Sequence, residues 1–256
     1  MSGNPGETSD FYAELFTEDP YYGTPYPNLD EARRWAKICE FLSQIPRPDV
    51  HGIGQRLRIL DVGCGNGWLT YLANIYGRCE GVDPSAGSIE QARRYFPGLT
   101  FYVGTASAVL RSPTFEPYDV VITSEVIEHI RNKEGFIADI RKCLAPRGHI
   151  ILTTPRGERF ARYAQGGFKL QPIEEWISEK ELFLLFKRNR FVPIQHDRVY
   201  MPIPGMSSLQ DVYENPKVSR MLDSLRLTWV HKAVQYQLGI YQAWWFRLKQ
   251  SESAAS

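Results

Sequence analysis

The chain has 256 residues, 43% hydrophobic and 23% charged, enough to bury a substantial core as one large domain or one domain with an elaborated cap. With 30 Lys+Arg against 29 Asp+Glu the formal net charge is +1, so bulk charge offers no attraction to nucleic acid or to an anionic membrane. Cys39, Cys64, Cys79 and Cys143 stand singly, without a C-x-x-C pair, which fits reduced thiols rather than a disulfide or zinc framework. The opening MSGNPGETSD lacks the basic-then-apolar pattern of a signal peptide, and no apolar run is long enough to span a bilayer. The expectation is a cytoplasmic protein.

Residues 1–10 read as a polar tail. DPYYGTPYPN (19–28) is too rich in Pro and Gly for regular helix, and its Tyr21, Tyr22 and Tyr26 suit either a lid over a ligand or a connector packed on the core. LDEARRWAKICEFLSQI predicts an amphipathic helix with Leu29, Ala32, Trp35, Ile38, Phe41, Leu42 and Ile45 on one side, ended by Pro46 and Pro48. From Leu57 strands and helices alternate. LRILDVG is a strand and GWLTYLANIYG a helix; CEGVD is a strand and SAGSIEQARRYFP a helix. LTFYVG and YDVVITSE are strands three and four, VIEHIRNKEGFIADIRKCLAP is a helix or a broken helix pair, and GHIILTTP is strand five. This alternation is the pattern of βαβ units, and continuously apolar strands imply a parallel sheet covered on both faces.

After Pro155, RGERFARYAQGGFKLQ reads as a basic loop or short helix, and SEKELFLLFKRNRF as a helix with a Ser178–Glu181 capping box. FVPIQHDRVYM is a sixth strand, MPIPGMSSLQDVYENP is irregular, and KVSRMLDSLRLTWVHKAV is helical. GIYQAWWFRLKQ is the last strand, with Trp244 and Trp245 packing opposite sheet faces. The fold expected is α/β: a Rossmann-like, doubly wound, mostly parallel seven-stranded sheet with helices on both faces. An N-terminal helical lid and an insertion before the last strand complete it.

ILDVGCGNGWL (59–69) carries the most chemistry. A strand ends at Asp61, Gly63, Gly65 and Gly67 form a loop, and a helix begins, so free N–H groups and a close-approaching backbone face a ligand. The spacing is G-x-G-x-G rather than the dinucleotide G-x-G-x-x-G, because position 68 is Trp68. A second strand ends in GVD, placing Asp83 where an acid commonly takes ribose hydroxyls. D-V-G-C-G-N-G followed by Asp83 resembles the class I S-adenosylmethionine (SAM)-dependent methyltransferases, over about residues 57–155. That resemblance implies SAM as cofactor and S-adenosylhomocysteine as product. It implies that Asp61 holds the amino-acid part of SAM, that Gly63, Cys64 and Gly65 form the loop against it, and that Asp83 accepts the ribose hydroxyls. Pro84 would flank the adenine beside Thr105 and Ala106, with Thr105 standing where the family often has an aspartate. Thr123, Ser124 and Glu125 would face the methionine part and the acceptor. The division expected is a tail, lid and helix over 1–50, a SAM-binding core over 51–155, and a C-terminal part over 156–256 with a substrate cap at about 201–235.

SEVIEHI (124–130) lies at the end of strand four. A helix beginning near Ser124 would put Glu125, Glu128 and His129 on one face and bury Val126, Ile127 and Ile130. Three readings stay open: the polar side of a helix start, an acid–base site, or a site for Mg²⁺ or Mn²⁺. The E-x-x-E-H arrangement is similar to that of metal-dependent small-RNA 2′-O-methyltransferases and to the acidic–His pair of ubiquinone-pathway O-methyltransferases. The RNA enzymes bring a further histidine; here LQPIEEWIS offers Gln171 and Pro172, with no histidine between His149 and His196. A divalent metal is therefore not favoured, and nucleic acid is not the expected acceptor.

His129 is the first candidate for general base, with Glu125 beside it. His51, His149, His196 and His231 rank below it. Arg156, Arg159, Arg162 and Lys169 make a basic stretch that either meets an anionic acceptor or is a solvated face. The function expected is O-methylation of a small-molecule acceptor by in-line displacement. The alternatives are N-methylation, a sugar or polysaccharide precursor as acceptor, and SAM binding without catalysis.

Overall fold

The computed structural model describes residues 11, 14–15, 19, 22–47, 49–50, 53–54, 56–157, 173–200, 215–225 and 227–250. Helix α1 (Leu29–Gln44) starts where Asn28 accepts from the Asp30 and Glu31 amides while Glu31 reaches back to the Asn28 amide, a complete capping box. A two-stranded hairpin, Asp49–Val50 with Ile53–Gly54, leads to the main sheet. Its strands are β1 (Leu57–Val62), β2 (Gly77–Asp83), β3 (Thr100–Val103), β4 (Tyr118–Ser124), β5 (Leu144–Pro155), β6 (Phe191–Val199) and β7 (Tyr241–Leu248). They lie in the order β3-β2-β1-β4-β5-β7-β6. The first five pair in parallel, and β7 runs antiparallel between β5 and β6.

The helices between strands are α2 (Trp68–Ala73), α3 (Ala86–Tyr95), α4 (Ala106–Val109), α5 (Lys133–Cys143) and α6 (Glu179–Arg188). Two more, α7 (Pro216–Ser224) and α8 (Thr228–Leu238), fall in the insertion before β7. The Ser178–Glu181 capping box at α6 is present as the sequence predicts. The single helical stretch expected after residue 216 is two helices: the Leu227 amide reaches five residues back to the Leu222 carbonyl at 2.8 Å and closes α7 with a wide turn. Strand β5 begins at Leu144, earlier than GHIILTTP suggests, because a left-handed kink at Arg147 (φ 64°) lets Leu144 pair with Tyr118 before the regular ladder resumes.

Both faces of the sheet are dry, for the reason the apolar strands implied. Leu60, Val62, Val121, Ile150 and Leu152 point to one face, under α4, α5 and α6. Ile59, Val120, Ile122 and Ile151 point to the other, under α1 and α2. Trp244 packs on the first face and Trp245 on the second, as their adjacency in one strand requires. Phe186 stacks on Phe246 at 4.2 Å between ring centres, and removing such a buried ring costs about 3–5 kcal/mol. This rigid layer matters for function because the chain reverses direction across the sheet between β1 and β4. Loops leaving their carboxyl ends part there and open the crevice where doubly wound folds bind ligands.

Candidate active site

The loop after β1 holds Gly63, Gly65 and Gly67 at φ 79°, 50° and 86°, a region that side chains disfavour. A Cβ on Gly63 would stand 2.3 Å from Cγ2 of Val126, so the loop touches the turn that follows β4. The Gly63 and Cys64 amides donate to the Val82 carbonyl at 2.8 and 3.2 Å, and the Gly65 amide donates to Oδ2 of Asp83 at 3.0 Å. Oδ1 of Asp83 accepts from the Ser85 amide at 2.8 Å, so this carboxylate clamps the loop to the end of β2. Cys64 turns its thiol into a core of Ile89, Ala92 and Phe101, leaving only its backbone at the loop.

Asp61 is fully buried; Thr70 donates to its Oδ2 at 2.7 Å, and Oδ1 has no hydrogen-bond partner among the described residues. Burial pushes its carboxyl up to about 7, against the Thr70 hydrogen bond, and burial lifts Asp83 to about 6 against its two backbone donors. Pro84 and Thr105 are exposed at the neighbouring carboxyl ends of β2 and β3, joined by the Gly104 amide donating to the Asp83 carbonyl at 2.9 Å. Ala106 is 2% exposed and packs in the core.

The tyrosine-rich segment is fastened to this loop. Nδ2 of Asn66 donates to the Tyr22 carbonyl at 2.8 Å and the Thr24 carbonyl at 2.6 Å, and the Tyr95 hydroxyl donates to the Gly23 carbonyl at 2.8 Å. Tyr26 is exposed, and Tyr21 lies outside the described residues.

SEVIEHI does not start an α-helix. Ser124 ends β4, with its hydroxyl 2.8 Å from that of Thr153, and Glu125 then takes a left-handed φ of 58°. A single 3₁₀ turn follows over Ile127–His129, and α5 begins only at Lys133. The left-handed residue breaks the helical spacing, and the three polar side chains, though near enough to interact electrostatically, take different hydrogen-bond partners. Glu125 accepts from the Thr153 hydroxyl at 3.2 Å, and Glu128, expected on the polar face, is 2% exposed and accepts from the Thr154 hydroxyl at 2.9 Å. Among the described residues no three His, Cys, Asp or Glu side chains form a group that could hold a metal ion. Burial raises both Glu125 and Glu128 above the carboxylate range; Arg34 opposes this at Glu125, and hydrogen bonds to the carboxylate oppose it at Glu128.

His129 Nδ1 lies 2.6 Å from the Ile173 carbonyl. A carbonyl only accepts, so Nδ1 carries the proton and the lone pair of the neutral ring is on Nε2. Nε2 stands 3.9 Å from Oε1 of Glu128, and burial, opposed by the Ile173 bond, lowers the imidazole below its ordinary value. The segment carrying Ile173 is strapped over the turn: the Glu175 amide donates to the Glu128 carbonyl at 2.8 Å, and Lys133 pairs with Glu175 at 3.0 Å.

Sequence reading missed Arg34, Asn66 and Tyr241. Arg34 is 7% exposed, with Nε 3.9 Å from Oε1 of Glu125 and its guanidinium carbon 5.0 Å from the ring centre of Tyr241. The signal was available: Glu31, Arg34, Ile38 and Phe41 recur at helical spacing, so two charges share the buried stripe of α1. Arg156, by contrast, is spent inside the fold, with Nε 3.0 Å from Glu179 and Nη1 donating to the Gly239 carbonyl at 2.6 Å. His196 also pairs with Glu179, at 3.3 Å, and His149 accepts from the Trp245 indole at 3.0 Å, so both serve packing. Residues 51, 159, 162, 169, 171 and 172 lie outside the described residues, as does the side chain of His231.

A glycine loop clamped by the acid ending β2, in this strand order, is the geometry with which the chain can be compared. Residues 29–196 match the family model described as a methyltransferase domain. The chain belongs to the methyltransferase-domain family. Its relatives include the ubiquinone biosynthesis O-methyltransferase of Agrobacterium fabrum, 28% identical over 144 residues, which are 55% of this chain and 56% of that one. Norajmaline N-methyltransferase of Rauvolfia serpentina is 30% identical over 161 residues, 59% of this chain and 50% of that one. The chain thus spans about half the length of the curated relatives it matches. The N-methyltransferase NodS of Bradyrhizobium japonicum, solved with S-adenosylhomocysteine, shares the fold at a TM-score of 0.61 and 15% identity, over 94% of this chain and 98% of that one.

The methyltransferase-domain loop fits SAM on its own geometry. Left-handed glycines leave room for a ligand against the backbone, and the buried, unpartnered Oδ1 of Asp61 is an acceptor awaiting a donor. No helix among the described residues is long and apolar enough to cross a membrane.

Proposed function

We propose that this protein moves a methyl group from SAM to a hydroxyl of a small-molecule acceptor. The observation that carries this reading is His129. Its Nδ1–H is held by the Ile173 carbonyl, its lone pair is on Nε2, and burial keeps it neutral near pH 7, the form a general base needs.

SAM, when bound, supplies a methyl already activated on a sulfonium, so the protein has chiefly to position and deprotonate the acceptor and exclude water. Asp61 takes the ammonium of the amino-acid part, and Gly63, Cys64 and Gly65 present backbone to it. Asp83 retains a second lone pair on each oxygen for the ribose hydroxyls. Pro84 and Thr105 border the adenine, with Ala106 packed in the core behind them, and Ser124 and Glu125 border the reacting end. His129 takes the acceptor proton. The working division is a lid and helix over 1–50, the cofactor core over 51–155, and acceptor selection by 156–256, with the insertion at about 201–235.

The test is transfer of labelled methyl from SAM together with calorimetry of S-adenosylhomocysteine. His129→Ala is expected to lower kcat roughly 10²–10⁴-fold with unchanged product affinity. Equal losses in both would make His129 structural and sink the base assignment, and turnover abolished by a chelator would restore a metal. N-methylation is the second reading, supported by the norajmaline relative. An amine needs only to arrive unprotonated, so His129→Ala would then cost little with an amine acceptor.

A further inference from the structure

At the end of the sheet away from the cofactor loop, a cavity of about 340 Å³ opens between the last turn of α1 and strands β5, β6 and β7. That volume holds a small organic molecule. His149 on its floor pairs with Arg247 and stands six residues before Pro155, so the cavity lies about 20 Å along β5 from the carboxyl ends of the strands. Strand alternation turns His149, Trp245 and Arg247 to the face that α1 covers. The Trp245 indole donates to Nδ1 of His149 at 3.0 Å, which fixes both rings, and Pro46 and the largely exposed Ile194 extend the apolar wall.

Arg147 and Arg247 supply the charge, and neither guanidinium pairs with a carboxylate among the described residues. Strands β5 and β7 carry no acid. Glu40 on α1 is engaged by Lys37 and Gln195, and Asp197 on β6 by Lys37. Half-buried cations elsewhere do find carboxylates, Arg58 at Glu116 and Arg198 at Glu179. Burial lowers His149 to about 4, with the charges of Arg247 and Arg147 adding to it, so the imidazole is neutral near pH 7 and the two arginines are the charge of the cavity. Arg147 reaches the cavity through left-handed backbone at φ 64°, a conformation costly for a residue with a side chain.

We propose that this cavity is a second ligand site, which takes a phosphate monoester on a flat apolar body. Arg147 and Arg247 hold the phosphate, and Trp245, Pro46 and Ile194 pack on the body. Two guanidinium forks match the charge and the oxygens of a phosphate dianion, and the apolar wall rewards a ring that inorganic phosphate lacks. The site is separate from the cofactor crevice and does not depend on the transfer reaction.

The experiment titrates the full chain by calorimetry with phenyl phosphate, inorganic phosphate and phenol, while the Trp245 indole N–H resonance, assigned through Trp245→Phe, reports where binding occurs. Phenyl phosphate is expected to bind at least tenfold tighter than either fragment and to shift the Trp245 resonance. Arg147→Gln and Arg247→Gln are each expected to weaken it at least fivefold, and saturating S-adenosylhomocysteine is expected to leave it in place. Arg147 is exposed, so its variant decides the matter if Arg247→Gln does not fold. Phenyl phosphate that binds no tighter than the fragments, or that leaves the Trp245 resonance unmoved, overturns the proposal. So does an affinity that survives Arg147→Gln unchanged. Displacement by S-adenosylhomocysteine would place the ligand in the cofactor crevice and overturn it equally.

Discussion

The chain leaves β1 and β4 side by side, and both exits turn through left-handed backbone: at Gly63, Gly65 and Gly67 after β1, and at Glu125 after β4. After β1 glycine carries the conformation at little steric cost, and the turn leaves bare backbone for a ligand. After β4 a glutamate carries it, with strain, and the same turn throws a carboxylate toward Arg34. One exit is built to let something approach; the other is built to aim side chains at it. The two meet where Val126 fills the space over Gly63.

That contact is the place to break the comparison first. Gly63→Ala places a Cβ at φ 79° and against Val126, and should destabilise the fold by roughly 2–4 kcal/mol and weaken product binding at least tenfold, read by denaturant melts and calorimetry. Adding Val126→Ala removes the overlap but not the dihedral, so only part of the loss should return; full recovery would mean that the left-handed loop is not needed.

The next effect separates the two exits by pH. Asp61, near 7 in the free protein, must be a carboxylate to hold an ammonium, so the bound state carries fewer protons. Product affinity should therefore fall about tenfold per unit as pH drops below 7, and level off above it. Asp83, near 6, adds a second break lower down. Asp61→Asn should remove the upper break only, and a profile unchanged by that substitution would dissociate Asp61 from the ligand.

The smallest effect tests whether the 22–24 segment acts as a lid. Asn66→Ala removes two hydrogen bonds to the 22–24 backbone and should cost about 1–2 kcal/mol of stability and raise KM several-fold at constant kcat. A fall in kcat alone would make Asn66 part of the reacting centre instead.

The first exit was legible in the sequence and the second was not, for a physical reason. Left-handed turns written in glycine announce themselves, and D-V-G-C-G-N-G located the loop; Asp83 was read there for ribose hydroxyls, and its hold on the Gly65 amide was not foreseen. The five βα units, the Ser178–Glu181 cap and the split of Trp244 from Trp245 followed from period and spacing. SEVIEHI instead reads as helix, because Glu, Ile and His at those intervals fit one; in the fold Glu125 and Glu128 are tied to Thr153 and Thr154 of the neighbouring strand, contacts that no local spacing announces. Arg34 was hidden similarly, since a charge on a helix is ordinarily solvated and its burial depends on β7, some two hundred residues away.

The Ile173 carbonyl that holds His129 belongs to the backbone, so no change of side chain at position 173 can delete it. The bond is thus indifferent to the side chain at position 173, provided the path of the chain there is kept. The imidazole's tautomer is inherited from the course of the chain, and only a proline, an insertion or a deletion that redirects residues 173–178 would reverse it.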